Sequence, residues 1–266
     1  MFIRRKMIHE TAIIHKNAKI GTNVEIGPYC VIGEHVSIGE GTKLHSHVVI
    51  DGYTTIGKNN EFYPGCVIGY QGQDLKFKGE VSYLEIGNGG IFREFVTIHR
   101  ATGEGNKTVI GNKVFFLANA HVGHNSIIGD QVTLVNGAGV GGHVTIEEKA
   151  FVSAYVPIHQ FCRIGMYAMV GLGSHIDKDV PPYMLGAGHP FEVQYFNKVG
   201  LARAGIKEDG FAEIKNIYKI TFRSGLNTEQ AIERIRNEIP DGKFAPHFLA
   251  FIKGSKRGIY KGRDRE

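Results

Sequence analysis

Residues 13–44, IIHKNAKIGTNVEIGPYCVIGEHVSIGEGTKL, carry an aliphatic side chain at every sixth position, from Ile14 to Leu44. Glycine follows several of these positions, as in Ile20-Gly21 and Ile26-Gly27. An α-helix needs a period near 3.6 and an ordinary strand a period of 2, so a strict period of six fits neither alone. It is typical of a hexapeptide β-helix, in which each hexad is a short strand plus a turn and three hexads make one coil.

The period of six extends over most of the chain, and we expect the apolar residue of each hexad to point inward. The in-phase positions are Ile8, Ile14, Ile20, Ile26, Ile32, Ile38, Leu44, Ile50, Ile56, Phe62, Ile68, Ile86, Phe92, Ile98, Ile110, Phe116, Val122, Ile128, Leu134, Val140, Ile146, Val152, Ile158, Ile164, Val170 and Ile176. The pattern breaks after Ile68 and after Ile98, which predicts extruded loops near 69–85 and 99–109. If each break counts as one hexad of the repeat and its remaining residues form a loop, Ile68 and Ile98 stack on successive coils.

The C-terminal part of the chain has a helical period instead. After Pro181-Pro182 the period of six ends, and a bridging stretch of roughly twenty residues leads to three predicted helices. The first ends at Ser224-Gly225, the second is capped by Asn227-Thr228, and the third opens at Pro246. We predict a mainly β chain, with a left-handed parallel β-helix over 1–190 and an α-helical domain over 191–266. The left-handed sense comes from the known behaviour of hexapeptide repeats, because the period alone does not fix it.

Composition agrees with a solenoid in a reducing compartment. The 36 glycines suit tight corners that need φ > 0. Cys30, Cys66 and Cys162 form no ligand motif, so we expect them to be small core residues of a cytoplasmic protein. Residues 1–6 are basic without an apolar stretch after them, which argues against a signal peptide. No apolar run is long enough to span a membrane.

The excess positive charge is confined to the C-terminal part. Residues 200–266 hold 14 Lys and Arg against 9 Asp and Glu, which equals the net charge of +5 of the whole chain. Such a region can attract an anionic partner, although a solvated helical surface is an equally good interpretation. No aromatic platform or recognition motif accompanies the charge, so we do not expect nucleic acid as a partner.

Four histidines are predicted to line one edge of the solenoid. Residues about 18 apart stack on one face, and the column Val122, Val140 and Ile158 is flanked by histidines. They are His121, His124, His143 and His159, with His99 expected below them and Gln73, Asp74 and Lys76 beside them in the first loop. One histidine on such a surface is most often only a polar residue. Four on one edge, beside a loop with Asp and Lys, indicate a functional site.

Zinc is the competing interpretation of clustered histidines. The γ-class carbonic anhydrases are hexapeptide β-helices that bind zinc, and they space two of their ligands five residues apart. Here the closest pair is His121 and His124, and the Asp and Arg arrangement of that class is not evident. We therefore predict no metal.

Several motifs resemble the UDP-N-acetylglucosamine 3-O-acyltransferases of lipid A (lipopolysaccharide) biosynthesis, which are hexapeptide-repeat acyltransferases. They are Asn119-Ala120-His121-Val122-Gly123-His124, Gly142-His143-Val144, Val156-Pro157-Ile158-His159-Gln160-Phe161-Cys162, Gln73-Asp74-Leu75-Lys76, Val96-Thr97-Ile98-His99-Arg100, Asp179-Val180-Pro181-Pro182-Tyr183, Arg223-Ser224-Gly225 and Ser255-Lys256-Arg257-Gly258. The resemblance covers the chain from about Met7 to Tyr260.

The resemblance implies transfer of a 3-hydroxyacyl group from acyl carrier protein to the 3-position of UDP-N-acetylglucosamine. By motif position His124 is the general base for the sugar hydroxyl, and the backbone N–H of Gly142 is the oxyanion donor. The acyl donor is carried on the phosphopantetheine of acyl carrier protein, so no further cofactor is implied.

The resemblance also implies which residues bind substrate. Those that orient the sugar and the acyl hydroxyl are Gln73, Asp74, Lys76, His99, His121, His143, His159 and Gln160. Asn197 and Arg203 correspond to the nucleotide-binding segment, where Arg can pair with phosphate. Family members are homotrimers, and the basic helical domain is the expected docking surface for acidic acyl carrier protein. Candidates for that contact are Lys219, Arg223, Arg234 and Arg236.

The sequence departs from the family pattern at five positions. The base is usually followed by Asp, and here by Asn125, while Gly123 replaces an Ala beside the expected position of the sugar. Ala204 and Val199 stand where basic and acidic residues are common in the nucleotide segment. Leu172 takes a position often filled by Gly along the acyl groove, and a bulky side chain there predicts a shorter acyl chain.

Three hypotheses follow from these residues. The first is the O-acyltransferase just described. The second is a related hexapeptide enzyme, either an N-acyltransferase acting on a 3-amino or another nucleotide sugar or a zinc enzyme. The third is a solenoid that only binds or scaffolds. Asn125 and Gly123 favour the amino sugar within the second hypothesis, because an amine of lowered pKa needs less help from a base.

Overall fold

The hexads fold into a parallel β-helix, shown here by a computed structural model that describes residues 7–260. Residues 1–6, on which the expectation about a signal peptide rests, and the last six residues of the predicted helical domain lie outside that range. Up to Val170, successive strands of two to four residues belong in turn to three sheets, so that each sheet forms one face of a triangular prism. This confirms the predicted left-handed β-helix.

Up to Val170 each sheet takes every third strand of the chain, and the last two strands both extend sheet 3. Sheet 1 contains β1 (Ile13–Ile14), β4 (Val31–Ile32), β7 (Val49–Ile50), β10 (Val67–Tyr70), β13 (Thr97–His99), β16 (His121–Val122), β19 (Gly139–Val140) and β22 (Pro157–Ile158). Sheet 2 contains β2 (Lys19–Ile20), β5 (Ser37–Ile38), β8 (Tyr53–Ile56), β11 (Tyr83–Ile86), β14 (Lys107–Ile110), β17 (Ile127–Ile128), β20 (Thr145–Ile146) and β23 (Arg163–Ile164). Sheet 3 contains β3 (Glu25–Ile26), β6 (Lys43–Leu44), β9 (Glu61–Phe62), β12 (Ile91–Phe92), β15 (Phe115–Phe116), β18 (Thr133–Leu134), β21 (Phe151–Val152), β24 (Met169–Val170), β25 (Met184–Ala187) and β26 (Glu192–Phe196).

The register shows where the two loops leave the prism. Ile32 pairs with Ile50, one 18-residue coil further along the chain. Ile68 pairs with Ile98, so the first loop extrudes twelve extra residues. Ile98 pairs with Val122, so the second loop extrudes six. The predicted stacking of Ile68 on Ile98 is therefore present.

The in-phase apolar side chains form the core, as predicted. From Ile26 to Ile176 all of them are buried, and each such aliphatic side chain contributes about 1.5–3 kcal/mol. Phe62 stacks on Phe92, with ring centroids 4.5 Å apart. Ile8 is 41% exposed, because the first described coil has a neighbouring coil on one side only. The three cysteines are free and buried, and burial raises the pKa of the Cys66 thiol to about 12.

Many glycines serve a different purpose from the one expected. We expected glycine to supply positive φ at the corners, but many left-handed turn residues are Asn, Tyr, His or another larger residue; Asn125, at φ +60°, is one. The glycines that follow the apolar positions are needed for space instead. A Cβ on Gly39 would lie 2.5 Å from the carbonyl oxygen of Gly57 on the next coil. Coils therefore stack closely because these positions lack a side chain.

The bridging stretch is more ordered than the sequence indicated. β25 continues sheet 3 in parallel with β24, and β26 pairs with it in an antiparallel hairpin that spans the predicted domain boundary at residue 190. A short helix that we did not predict, α1 (Lys198–Arg203), follows directly.

The three predicted helices are present and pack on the end of the prism. They are α2 (Glu208–Phe222), α3 (Thr228–Glu238) and α4 (Ala245–Lys253). Asn227 caps α3 in a capping box with Gln230, as its position predicted. Arg163 of the prism donates to the Phe251 carbonyl at 3.0 Å and lies over the Phe251 ring, which ties α4 to the β-helix.

Candidate active site

The site lies on the edge between sheet 1 and sheet 2. His124 occupies the turn between β16 and β17 and is 5% exposed. Its Nδ1 lies 2.8 Å from Oδ1 of Asn125. Gly142 and Gln160 occupy the matching turns of the next two coils, because the coil length is 18 residues here. The β-helix therefore stacks the predicted base and the predicted oxyanion donor directly.

The ring of His124 packs against the backbone of Gly142. A Cβ on residue 142 would lie 2.6 Å from Nε2 and 2.7 Å from Cε1 of His124, so a side chain there would displace the imidazole. The N–H of Gly142 donates to no acceptor within residues 7–260. A base nitrogen and an uncommitted backbone donor thus lie side by side, which is the arrangement that acyl transfer to a hydroxyl requires.

Three further histidines lie around His124, and each has a lowered pKa. Burial lowers the pKa of His121 to about 4, and His99 and His124 add to the effect. Burial likewise lowers the pKa of His99, whereas His143 is exposed in one chain and its pKa is lowered by partial desolvation and by His124. The His143 ring stands edge-on to His124 with centroids 5.2 Å apart, and the His99 and His121 rings are 5.3 Å apart. The structure therefore brings these four predicted site residues together.

The first loop, residues 71–82, closes over this edge. A Cβ on Gly72 would lie 3.0 Å from Cβ of His124, so the loop backbone rests on the base. The Gln71 carbonyl accepts a hydrogen bond of 2.6 Å from Nδ1 of His99. Gln73 and Lys76 are exposed and Asp74 is half-buried. The loop therefore lies near the histidines, as the register predicted.

His159 and Gln160 lie one coil further and are exposed. Nδ1 of His159 donates to the Gln160 carbonyl at 3.0 Å. Phe161, on the same turn, stacks on His143 with centroids 4.7 Å apart and an interplanar angle of 13°. Phe161 was not singled out as a site residue from the sequence.

The predicted nucleotide residues lie on α1, away from this edge. Asn197 is buried and caps the helix, since its Oδ1 accepts from Gly200 N–H at 3.0 Å. Its Nδ2 donates to the Tyr167 carbonyl at 2.8 Å. Arg203 is exposed in the last turn. Asn197 therefore positions α1, and Arg203 is free to reach a phosphate.

Leu172 lies on a different edge of the prism, between sheet 3 and sheet 1. Its side chain is 69% exposed, beside the positive-φ turn at Gly173. Within one chain, the predicted acyl-chain ruler and the predicted base are therefore on separate edges.

Two residues that the sequence did not single out complete the site. The backbone of Thr102, in the second loop, contacts the amide of Asn125, and Thr97 Oγ1 lies 2.8 Å from Nδ1 of His121. The break in the period after Ile98 pointed to the loop that contains Thr102, and Thr97 lies within the motif Val96-Thr97-Ile98-His99-Arg100, but neither residue was assigned a role.

Gly123 was expected to leave room for the acceptor. A Cβ there would meet the backbone of Gly141 at 2.9 Å, so the chain itself fills this space.

Comparison with known proteins identifies the family. Residues 179–260 match the profile of UDP-N-acetylglucosamine O-acyltransferase domain 2, and residues 6–39 and 107–142 match the six-repeat bacterial transferase hexapeptide profile. The acyl-[acyl-carrier-protein]–UDP-N-acetylglucosamine O-acyltransferase of Thermodesulfovibrio yellowstonii is 45% identical over 253 residues, 95% of this chain and 98% of that relative. The chain belongs to this family of O-acyltransferases.

Other members of the acyl-[acyl-carrier-protein]–UDP-N-acetylglucosamine O-acyltransferase family agree in sequence and in fold. The relative from Gloeothece citriformis is 42% identical over 82% of this chain and 80% of its own length. The UDP-N-acetylglucosamine acyltransferase structure from Bacteroides fragilis superposes with a TM-score of 0.93 at 39% identity, covering 96% of this chain and all of that one. The enzyme from Moraxella catarrhalis superposes with a TM-score of 0.92 at 38% identity over the same shares.

The described residues offer neither a metal cluster nor a membrane-spanning helix. Within residues 7–260, no cluster of three or more His, Cys, Asp or Glu side chains is arranged to hold a metal ion. No helix in the same range has the length and apolarity needed to cross a membrane.

Proposed function

We propose that this protein transfers a 3-hydroxyacyl group from acyl carrier protein to the 3-hydroxyl of UDP-N-acetylglucosamine, the first step of lipid A biosynthesis. Membership of the family supports the assignment of these two substrates. The observation that carries the chemistry is the packing of His124 Nε2 on Gly142, beside a backbone N–H that has no other acceptor in residues 7–260. Three buried free cysteines support a reducing, cytoplasmic location.

The reaction needs one base and one oxyanion donor. The sugar oxygen bonds to the thioester carbonyl carbon while its proton passes to Nε2 of His124. The carbonyl oxygen gains negative charge and accepts from Gly142 N–H. As the tetrahedral intermediate collapses, the carbon–sulfur bond breaks, and the phosphopantetheine thiolate takes the proton back from the imidazolium. The histidine is regenerated, and this reaction scheme uses no metal or further cofactor.

The surrounding residues orient the two substrates. Gln73, Asp74 and Lys76 are the proposed ligands of the sugar, and the contact of their loop with His124 at Gly72 supports this assignment. Neutral His99, His121 and His143 can accept or donate hydrogen bonds without adding positive charge beside the base. His159 and Gln160 are exposed one coil away, where the acyl hydroxyl can be bound. Arg203 is the candidate phosphate ligand.

The active form is proposed to be a homotrimer. In one chain the edge that carries His124 is open to solvent at Gln160 and Lys76, and Leu75 in the first loop is fully exposed. A neighbouring subunit against this edge would cover Leu75 and enclose the substrates. The basic helical domain is then the proposed surface for acidic acyl carrier protein.

One observation favours a 3-amino sugar nucleotide as the second candidate acceptor. An amine needs less help from a base than a hydroxyl does, and the partner of His124 is the neutral amide of Asn125. The packing around Gly123 gives no support to this alternative, because its free side is filled by backbone.

A transfer assay tests the proposal. The protein is given 3-hydroxyacyl carrier proteins of several chain lengths with UDP-N-acetylglucosamine or its 3-amino analogue. We expect ester formation, and a loss of at least about 10²-fold in His124→Ala. His35→Ala is the matched control, because His35 occupies the equivalent edge four coils nearer the N terminus. Amide formation alone would move the enzyme to the amino sugar, and transfer to neither acceptor would refute the proposal.

A further inference from the structure

The amide of Asn125 is held by the second loop through a reciprocal pair of hydrogen bonds. Its Oδ1 accepts from the backbone N–H of Thr102 at 2.9 Å, and its Nδ2 donates to the carbonyl of the same residue at 3.0 Å. The backbone N–H of Asn125 donates to Thr108 Oγ1 at 2.8 Å, which fixes the turn itself. Thr108 thus holds the turn, and the second loop holds the side chain.

This pair decides which atom of the amide faces His124. Rotating the amide by 180° would place its NH₂ against the N–H of Thr102 and its oxygen against the Thr102 carbonyl, replacing two hydrogen bonds by two repulsive contacts. Oδ1 is therefore the atom that lies 2.8 Å from Nδ1 of His124. An amide oxygen can only accept, so Nδ1 must carry the proton in the neutral imidazole.

The loop that holds the amide is itself fixed. The carboxylate of Glu80, on the first loop, accepts from Gly103 N–H at 2.7 Å. Gly105 N–H donates to the Val81 carbonyl at 2.8 Å, and Asn106 Nδ2 donates to the Thr102 carbonyl at 2.9 Å. Both extruded loops therefore support the position of Thr102.

We propose that Asn125 is a positioning residue which, held by the backbone of Thr102, keeps His124 in the Nδ1-protonated tautomer and leaves Nε2 as the base. The inference rests on the proposed function only for the use of Nε2 as a base. The tautomer itself is a property of the free protein. The amide is matched to this loop, because a carboxylate at position 125 would place an oxygen against the Thr102 carbonyl.

The tautomer is measured first, in protein labelled with ¹⁵N in its histidine rings, with the His124 signals assigned by their loss in His124→Gln. At a pH where His124 is neutral we expect the Nδ1–H tautomer. Finding Nε2–H would overturn the proposal whatever the enzyme acylates. An inactive protein with the Nδ1–H tautomer would refute the proposed function and leave the tautomer assignment standing.

The variants Asn125→Gly and Asn125→Asp then test the role of the side chain. Glycine tolerates the φ of +60°, so the turn is kept while the amide is removed. We expect the Nε2–H tautomer to appear and kcat to fall at least about tenfold, with KM for the sugar nucleotide little changed. Asn119→Gly is the matched control, since Asn119 has the same φ on another edge.

The carboxylate variant separates orientation from general disruption. In Asn125→Asp the oxygen facing Nδ1 remains, so we expect the Nδ1–H tautomer to persist. The contact with the Thr102 carbonyl becomes repulsive, so amide exchange at residues 101–105 should accelerate. An unchanged tautomer and an unchanged kcat in Asn125→Gly would show that the amide does not position His124.

Discussion

Nε2 of His124 lies where a side chain on Gly142 would have to be, 2.6 Å from the position of a Cβ. The two residues are on successive coils, and the turn at residue 142 has ordinary backbone angles. A side chain at position 142 would therefore displace the imidazole, which packs against the residue whose backbone N–H we assign to the oxyanion.

Gly142→Ala should displace the base from the donor. We expect kcat to fall by at least about 10²-fold, because the displaced imidazole no longer reaches the proton of the sugar hydroxyl, with the β-helix intact. Gly139→Ala is the matched control, because Gly139 lies on the same coil and a Cβ there would meet no atom within 4 Å. Steady-state kinetics with circular dichroism separate activity from folding. Equal losses in both variants would contradict the assignment.

His121 should make the protein less stable in mild acid. Burial holds its pKa at about 4, below the value of about 6.5 in an unfolded chain, so the unfolded state binds more protons between these values. The contribution of neutral His121 to the free energy of unfolding is fully present above pH 6.5 and is lost as the pH falls toward 4. We expect a loss of up to about 2 kcal/mol between pH 7 and pH 5.

Urea unfolding at several pH values measures this loss. His121→Gln should show a shallower dependence on pH than the parent, whereas the exposed His35→Gln should follow the parent. A parent and a His121→Gln protein with parallel curves would show that His121 does not contribute.

Leu172→Gly should shift the donor preference toward longer acyl chains. The side chain is exposed at the edge between sheet 3 and sheet 1, so its removal opens space without creating a cavity in the core. Relative kcat/KM values for 3-hydroxyacyl carrier proteins of different lengths give the shift. Leu172→Met keeps the bulk and should keep the preference. The same preference in the glycine variant would exclude Leu172 as the ruler.

Lys219 and Arg236 are the better candidates for contact with acyl carrier protein. Arg234 pairs with Glu238 at 2.6 Å, and Nε of Arg223 donates to the Tyr218 hydroxyl at 2.6 Å, whereas the exposed side chains of Lys219 and Arg236 make no hydrogen bond or ion pair within residues 7–260. We expect Lys219→Glu/Arg236→Glu to raise KM for the acyl carrier protein about tenfold at low salt, with kcat unchanged.

The effect of this charge reversal should shrink as salt screens it. Lys16→Glu/Lys19→Glu makes the same change of charge at the other end of the β-helix and should leave KM unchanged. A KM that responds equally in both double variants would point to net charge rather than to a docking surface.

The sequence by itself determined the repeating part of the protein. The period of six specified which residues face inward, and the 18-residue coil placed His124, Gly142 and Gln160 on matching turns. It also located both loops and three helices, because caps and prolines act over a few residues. These predictions succeeded since each depends on contacts that are either local or repeated at a fixed interval.

Tertiary structure decided what lies outside the repeat. The path of each loop has no period, so the contact of Thr102 with Asn125, 23 residues apart, follows only from how the two loops bind each other. The hairpin of β25 and β26 forms because sheet 3 offers an open edge. The need for glycine at position 142 comes from the ring of His124 on the neighbouring coil, and a close approach between coils is visible only once they are stacked.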